Sequence, residues 1–507
     1  MSTALNARRR QRELAEVTGG RTVDLLVIGL GVTGAGVALD AASRGLDVVA
    51  VDAHDLAFGT SRWSSKLAHG GLRYLASGQV GIAHESAVER GILMTRTAPH
   101  LIRAMPWVVP HFAGGSRRDQ AITFAGFVAG DALRAAARTP RATLPRPRRL
   151  GRAETLALAP GVQSRALRGA ALGWDGQLVD DARLVVAIAR TAAGYGARVL
   201  TRVRAVAATG DGAQVRDELT GTFHDIKARA VVNATGVWAD SLAPDIRLRP
   251  SRGTHLVVRS SALGSMNCIV NAPVPGHFGR FVFTLPQLDG TTYIGLTDEP
   301  TEPPVPDVPQ SSDQEIDFLL DTINPTLQRP LTRDDVVGTY AGLRPLLSAE
   351  GSTADLSRKH AVLTAPNGMI TVVGGKLTTY RRMAQDAVDA AVRERGVSAG
   401  PCVTAQTPLV GADPAGPAGP AGNDIPGRLV RRYGSEAAAV LSEDPARNLP
   451  ISDTVPTTPA EFDFALSHEG ALDADDLLDR RTRVGLVPSD RAVTEPVAAE
   501  AVSAAAR

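Results

Sequence analysis

An α/β protein of more than one domain is what this sequence predicts, and three observations carry that expectation. The chain has 507 residues, more than a single hydrophobic core usually serves. A strand at Asp24–Gly29, a helix from Gly34 to Arg44 and a strand at Asp47–Asp52 follow in the order of a parallel sheet with its crossover. Beyond residue 425 the apolar positions Phe462, Ala465 and Leu466, then Leu472, Leu477 and Leu478, read as helices without strands.

Composition narrows the class. Hydrophobic residues make up 44% of the chain and the mean hydropathy is −0.03, which excludes wholesale disorder and a polytopic membrane protein. A net charge of +2 leaves no large basic field for nucleic acid. The 55 basic residues are 51 arginines and 4 lysines. That bias makes an arginine weak evidence by itself and each lysine informative. Cys268 and Cys402 are too few for a disulfide framework and too isolated for zinc, as expected in a reducing compartment. Arg8, Arg9 and Arg10 precede a polar stretch, so no secretory signal is expected. The longest uncharged apolar stretch, Leu25–Leu39, holds four glycines and is short for a membrane span. The expectation is a cytoplasmic protein, with peripheral contact at the inner face of the plasma membrane left open.

The pass along the chain gives a mobile arm at 1–20, a cofactor-binding domain over 21–250 and 336–398, and a substrate domain over 251–335. A linker at 399–424, a helical domain at 425–487 and a frayed tail at 488–507 complete it. Residues 139–149 (TPRATLPRPRR) read as a basic surface loop, and 411–422 (GADPAGPAGPAG) as low-complexity linker. A Pro-rich stretch at Glu299–Gln310 separates the strand pair FVFTLP and TTYIGLTD from a helix at Asp313–Asn324. The strand MITVVGG leads into a helix at Thr378–Arg395. No domain-scale repeat is present.

Gly29-Leu30-Gly31-Val32-Thr33-Gly34 follows the apolar strand ending at Ile28 and opens a helix. The first glycine permits the tight turn, the second lets backbone approach a pyrophosphate, and the third allows close helix–strand packing. The helix N-terminus then turns its positive end to the phosphates. Asp52 ends the second strand, where an acid binds ribose hydroxyls and repels a 2′-phosphate. This is a Rossmann-type unit. The fingerprint occurs once, which argues against a second nucleotide domain for NADH. A long polar, glycine-punctuated loop, Phe58–Tyr74, follows the acid and favours a flavin, FAD, over NAD.

The chain resembles the FAD-dependent, quinone-linked glycerol-3-phosphate dehydrogenases within the D-amino-acid-oxidase-like flavoproteins. Four stretches carry the resemblance: Gly29–Gly36 with Asp52; Thr60–Tyr74, containing SSKLAHGGLRYL; Asn233–Trp238 (NATGVW); and Thr339–Pro345 (TYAGLRP) with Gly374–Arg381 (GGKLTTYR). A fifth, HEGALDADDLLDRRTR at 468–483, is similar to the family's C-terminal helical domain. They run in family order over nearly the whole chain. The sequence departs from the pattern at Leu30, at Arg62-Trp63, at Ala68 and at Gln287, the last standing where a tryptophan often follows the Leu-Pro and bearing on affinity or selectivity if that position lines the pocket. The resemblance implies a Rossmann-type FAD-binding domain, a mixed-sheet substrate domain and a C-terminal helical domain. It also implies oxidation of sn-glycerol 3-phosphate to dihydroxyacetone phosphate, with a membrane quinone as acceptor, in glycerol catabolism. A homodimer stays open.

The cofactor residues so implied are Ile28, Gly29, Leu30, Gly31, Val32, Thr33, Gly34, Asp52, Thr60, Ser61, Ser65, Lys66, Leu67, Val203, Ala234, Thr235, Gly236, Gly375, Lys376, Leu377 and Thr378. The substrate brings a dianionic phosphate and a secondary alcohol, which call for cationic forks and a proton acceptor. Arg73, Arg344 and Arg358 supply the forks, Arg344 over the flavin between Gly342 and Pro345. His69 and His255 are the acid–base candidates. Lys376, between a Gly-Gly turn and a helix start, is placed to stabilise a reduced flavin. Each has a plainer reading: a solvated charge for Arg358, backbone orientation for His69, and a hydrogen-bonded sheet histidine for His255. Tyr74, with its hydroxyl on the substrate, has packing as its plainer reading; Thr378 and Thr379, to which the resemblance adds contacts with flavin or substrate, have helix capping. Rival functions are an oxygen-using glycerol-3-phosphate oxidase, another D-amino-acid-oxidase-like flavoenzyme, and a non-catalytic flavin scaffold. No histidine cluster has metal-ligand spacing.

Overall fold

A strand buried on both faces has to be apolar along its length, and Leu25–Ile28, Val48–Val51 and Ala230–Val232 are. The computed structural model describes residues 1–76, 78–277, 279–302, 304–347, 360–412 and 425–507. In chain order the elements are α1 (Ala7–Thr18), β1 (Thr22–Ile28), α2 (Val32–Ser43), β2 (Val48–Val51), β3 (Leu67–Ala68), α3 (Leu72–Ala76), α4 (Val80–Ile92), β4 (Ile102–Phe112), α5 (Arg117–Ala136), β5 (Arg148–Gly151), α6 (Arg152–Leu158) and β6 (Leu167–Leu178). There follow α7 (Asp181–Gly194), β7 (Arg198–Leu200), β8 (Val203–Thr209), β9 (Gly212–Asp217), β10 (Phe223–Asn233), β11 (Ser251–Arg259), β12 (Ile269–Pro273), β13 (Phe281–Pro286), β14 (Thr291–Gly295), β15 (Glu299–Pro300) and α8 (Asp313–Ile323). Last come β16 (Val336–Arg344), β17 (Ala361–Thr364), β18 (Ile370–Val373), α9 (Tyr380–Arg395), α10 (Gly427–Tyr433), α11 (Pro459–His468) and α12 (Pro488–Ala505).

Two sheets organise the described residues. The cofactor sheet runs β17-β18-β10-β1-β2-β7, with β9 beside β10 and β8 beside β9. Its central neighbours, β18, β10, β1, β2 and β7, are parallel. Helices α2, α7 and α9 cover one face through a core that includes Leu25, Val27, Ala35, Val186 and Ala387. The substrate sheet runs β15-β11-β14-β13-β12-β4-β6-β3, with β16 on β11 and β5 on β6. It is mixed: β4 pairs β12 in parallel and β6 antiparallel. Sheet membership therefore cuts across the expected boundaries. Strands at 67–68, 102–112, 148–151, 167–178 and 336–344 join the substrate sheet although they lie outside 251–335.

Both chain ends differ from the expectation. The stretch taken as a mobile arm holds α1, capped by the Asn6 side chain on the Arg9 N–H. Leu14 and Val17 are buried, and the Arg10 guanidinium donates to the Thr201 carbonyl and pairs with Asp217 at 2.5 Å. The stretch taken as a frayed tail is α12, whose Asp490 pairs with Arg259. Residues 139–149 are irregular up to 147, after which β5 begins. Most of the PAG-rich run, 413–424, lies outside the described residues.

The C-terminal segment docks through arginine ion pairs on α7 and on the loop that follows β2. Arg480 and Arg481 both bind Asp55 at 2.6 Å, Arg432 binds Asp180, Arg190 binds Glu436 and Arg183 binds Glu469. Burial works against the ionised form of Asp55, yet Arg481 and Arg480 hold its carboxyl below the usual range. Removing one partner of such a buried pair costs about 3–5 kcal/mol, because the other charge stays desolvated.

Candidate functional site

One cavity of about 2330 Å³ runs from the C-terminal ends of β1 and β2 to the face of the substrate sheet. A small-ligand pocket is roughly 300–1,000 Å³, so this space suits a dinucleotide with a second molecule beside it.

At the β1 end the walls are backbone. Gly29 has φ +100°, and a Cβ there would lie 2.6 Å from the Ala234 carbonyl. A Cβ on Gly34 would run into the Gly29 carbonyl. The N-cap of α2 is Gly31, which has no side chain to cap with, and its first turn holds no acid, so the positive end of the helix suits an anion. The Val32 N–H is met by Ser61 Oγ at 2.8 Å. Asp52 accepts the Leu30 N–H at 2.6 Å and the His54 N–H at 2.8 Å. Burial pushes its carboxyl up to about 6 against those two bonds. The glycine cradle, the helix N-terminus and the acid fit FAD.

Most of the expected cofactor residues line this cavity: Ile28, Gly29, Gly31, Val32, Thr33, Asp52, Thr60, Ser61, Ser65, Leu67, Ala234, Thr235, Gly236, Gly375, Lys376, Leu377 and Thr378. Four do not. Leu30 buries its side chain in the core, and Gly34 packs on Gly29. Val203 is buried with its N–H on the Asp52 carbonyl, and its neighbours Arg204 and Ala205 line the cavity instead. Lys66 has φ +54° and turns its side chain inward. Its Nζ donates to the carbonyls of Arg62 and Ser64 and pairs with Asp181 at 2.9 Å. Burial and the Arg483 charge pull its ammonium down to about 8 against the pull of Asp181.

At the substrate-sheet end the walls are side chains. Arg344, closing β16, lies across Gly253 of β11, where a Cβ would meet its guanidinium. It donates to Ser251 Oγ at 3.1 Å, Asp298 Oδ1 at 3.2 Å and the Thr297 carbonyl at 3.2 Å. His255 is buried flat over Gly295, stacked on Tyr340 at 4.6 Å, with Nε2 3.0 Å from Ser65 Oγ. Burial, then the charges of Lys66 and Arg344, hold its imidazole neutral well below the usual range. His69 keeps 43% of its side chain exposed to the cavity, Nδ1 3.0 Å from Asp175 Oδ2. Trp107 meets it edge-on and Phe283 follows behind Trp107. Lys376 Nζ lies 4.7 Å over the Tyr74 ring.

Other expected substrate residues fall elsewhere. Thr379 is buried, its hydroxyl on the Lys376 carbonyl, and does not line the cavity. The Arg73 side chain and Arg358 lie outside the described residues. Gln287 sits in the β13–β14 turn, its amide on the Leu285 carbonyl, away from the cavity. Arg62 is buried, its guanidinium over the rings of Trp63 and Phe58. The loop backbone at Trp63 crosses Gly342, where a Cβ would sit 2.6 Å from the Trp63 Cβ. Asp175 and Arg90 were not singled out from sequence; the signal available was Asp175 within WDGQ, five residues before the acid pair Asp180-Asp181. Among the described residues no acid, histidine or cysteine cluster is arranged to hold a metal.

Comparison with known proteins adds to this geometry. The family described as FAD dependent oxidoreductase matches residues 24–381, and the C-terminal domain of alpha-glycerophosphate oxidase matches 402–506. Glycerol-3-phosphate dehydrogenase 1 of Mycobacterium tuberculosis is 53% identical over 99% of both chains. The structure of a Bacillus halodurans glycerol-3-phosphate dehydrogenase complexed with FAD superposes with a TM-score of 0.74 at 27% identity, covering 98% of this chain and 94% of that one. L-alpha-glycerophosphate oxidase of Mycoplasma pneumoniae, solved with FAD bound, shares the fold at a TM-score of 0.56 and 20% identity, over 77% of this chain and 99% of its own.

Proposed function

We propose that this chain, which belongs to the family of FAD-dependent glycerol-3-phosphate dehydrogenases, oxidises sn-glycerol 3-phosphate to dihydroxyacetone phosphate. The observation that carries the reading is the placement of an acid-paired histidine, His69, and a forked cation, Arg344, on the walls of the cavity that contains the glycine cradle. FAD, when bound, supplies the hydride acceptor. The chain supplies the rest. His69 takes the C2 hydroxyl proton at Nε2. Arg344 orients a substrate oxygen with the donors it now shares with Ser251, Asp298 and Thr297. Lys376 adds positive potential where negative charge develops. His255, enclosed and neutral, shapes the floor and orients Ser65. Anaerobic addition of sn-glycerol 3-phosphate is expected to bleach the flavin absorbance of the purified protein, and glycerol or a D-amino acid is not. A yellow protein that this substrate leaves unbleached overturns the reading.

The acceptor in this reading is a membrane quinone, in glycerol catabolism, with the protein resting on an anionic bilayer. Helix α5 supports it. Of its twenty residues only Leu133 and Arg134 are buried, and no charge falls between Asp119 and Asp131. Ile122 and Val128 are 41% and 49% exposed. Arg117, Arg118, Arg138 and Arg146 flank this apolar stretch, a pattern suited to acyl chains bordered by anionic headgroups. The same cavity passes Trp107 and reaches Phe127 on α5. Among the described residues no helix is long and apolar enough to cross a membrane. Phosphatidylglycerol vesicles are expected to pellet the protein, and the double variant I122E/V128E to stay in solution. Stoichiometric peroxide under air would instead favour the oxidase.

A further inference from the structure

We infer that Asp175 and Arg90 are positioning residues that fix the tautomer of His69, with the proton on Nδ1 and Nε2 left as the acceptor that faces the cavity. The inference rests on the functional reading above for its chemistry, but the tautomer follows from hydrogen-bond accounting alone.

The two oxygens of Asp175 are divided. Oδ1 accepts from Arg90 Nη1 at 2.7 Å, from its neighbour's N–H at Gly176 at 3.0 Å, and from the Gly70 N–H at 3.3 Å. Oδ2 faces His69 Nδ1 at 3.0 Å. Burial opposes ionisation of Asp175, but the Arg90 charge and the His69 bond outweigh it and hold the carboxyl down at about 2. An ionised carboxylate only accepts hydrogen bonds, so Nδ1 has to be the donor. In the neutral ring Nε2 then carries the lone pair. Arg90 reaches this position because residue 70 is glycine: a Cβ there would overlap the guanidinium. Strand β6 brings Asp175 and α4 brings Arg90; β4 brings Trp107, and the turn before α9 brings the Thr378 hydroxyl to the His69 N–H. His255 is arranged in the opposite sense, with Nε2 against Ser65 and no carboxylate behind it.

The experiment uses the full-length flavoprotein. Nitrogen-15 imidazole spectra, with His69 assigned by difference from His69→Asn, are expected to show Nδ1 protonated and Nε2 unprotonated in the neutral ring. Asp175→Asn, close in shape, offers an amide that also suits the other tautomer. It is expected to slow anaerobic flavin reduction about 100-fold, the scale of general-base catalysis. Substrate binding should change no more than about threefold, and flavin content should not change. Asp175→Glu is expected to restore part of the rate. An unprotonated Nδ1 in the wild-type spectrum overturns the inference, whether or not the Asn variant folds. So does an Asn variant with an unchanged rate of flavin reduction. A wild-type protein that glycerol 3-phosphate does not bleach removes the functional reading instead, and the spectrum still decides the tautomer.

Discussion

The cofactor sheet and the substrate sheet meet the same cavity by opposite means. At the first, ligand-facing groups are mostly peptide: the Gly29 turn and the N-terminus of α2, beside an acid already committed to two N–H donors. At the second they are long side chains laid across glycines, Arg344 over Gly253 and His255 over Gly295. A backbone site is fixed once the turn folds and tolerates almost no added volume. A side-chain site keeps its scaffold when altered and loses chemistry instead.

That contrast orders the expected effects. Gly34→Val strikes the backbone site, and flavin content should fall to less than about a tenth of the wild-type ratio, measured by absorbance after denaturation. Arg344→Lys keeps the charge but loses the planar fork. Losing one or two charge-assisted bonds, each about 1.5–3 kcal/mol, should cost roughly 100-fold in kcat/KM while the flavin is retained. Asp52→Asn sharpens the comparison through pH. Burial holds the folded carboxyl at about 6, above the ordinary aspartate value. The stability it contributes to flavin-free protein is therefore fully present below about pH 4 and lost as pH rises through about 6. The Asn variant should show a shallower fall in Tm across that window. Gln287→Trp, outside the cavity, should leave kcat and KM within about twofold, and a larger change would bring that turn into the site.

The backbone site was legible because its parts lie close in sequence: Gly29 to Gly34 and Asp52 form one unit whose spacing carries its own mechanism. The side-chain site was legible only in pieces. Arg344, His69 and His255 stood out, but β4, β6 and β16 join a sheet whose other strands are distant in sequence. Nothing local tells Asp175 that it will face His69. Lys66 was misplaced for a related reason. Its loop belongs to the cofactor, while its positive φ turns the side chain into a buried ion pair. Helices α1 and α12 were missed because their apolar residues are few and small among charged neighbours, and because a proline, Pro496, stands inside the second. Arg10 anchors one to Asp217 and Asp490 anchors the other to Arg259. Discounting arginines as compositional bias hid a large part of the domain interface.

The bare floor beneath His255 has a bearing on descent. A methyl at 295 would overlap the imidazole ring, which Tyr340 prevents from lifting away. An alanine at 295 is thus expected to be accepted only together with a smaller residue at 255, so the two positions act as one steric unit in which neither changes freely while the other stays.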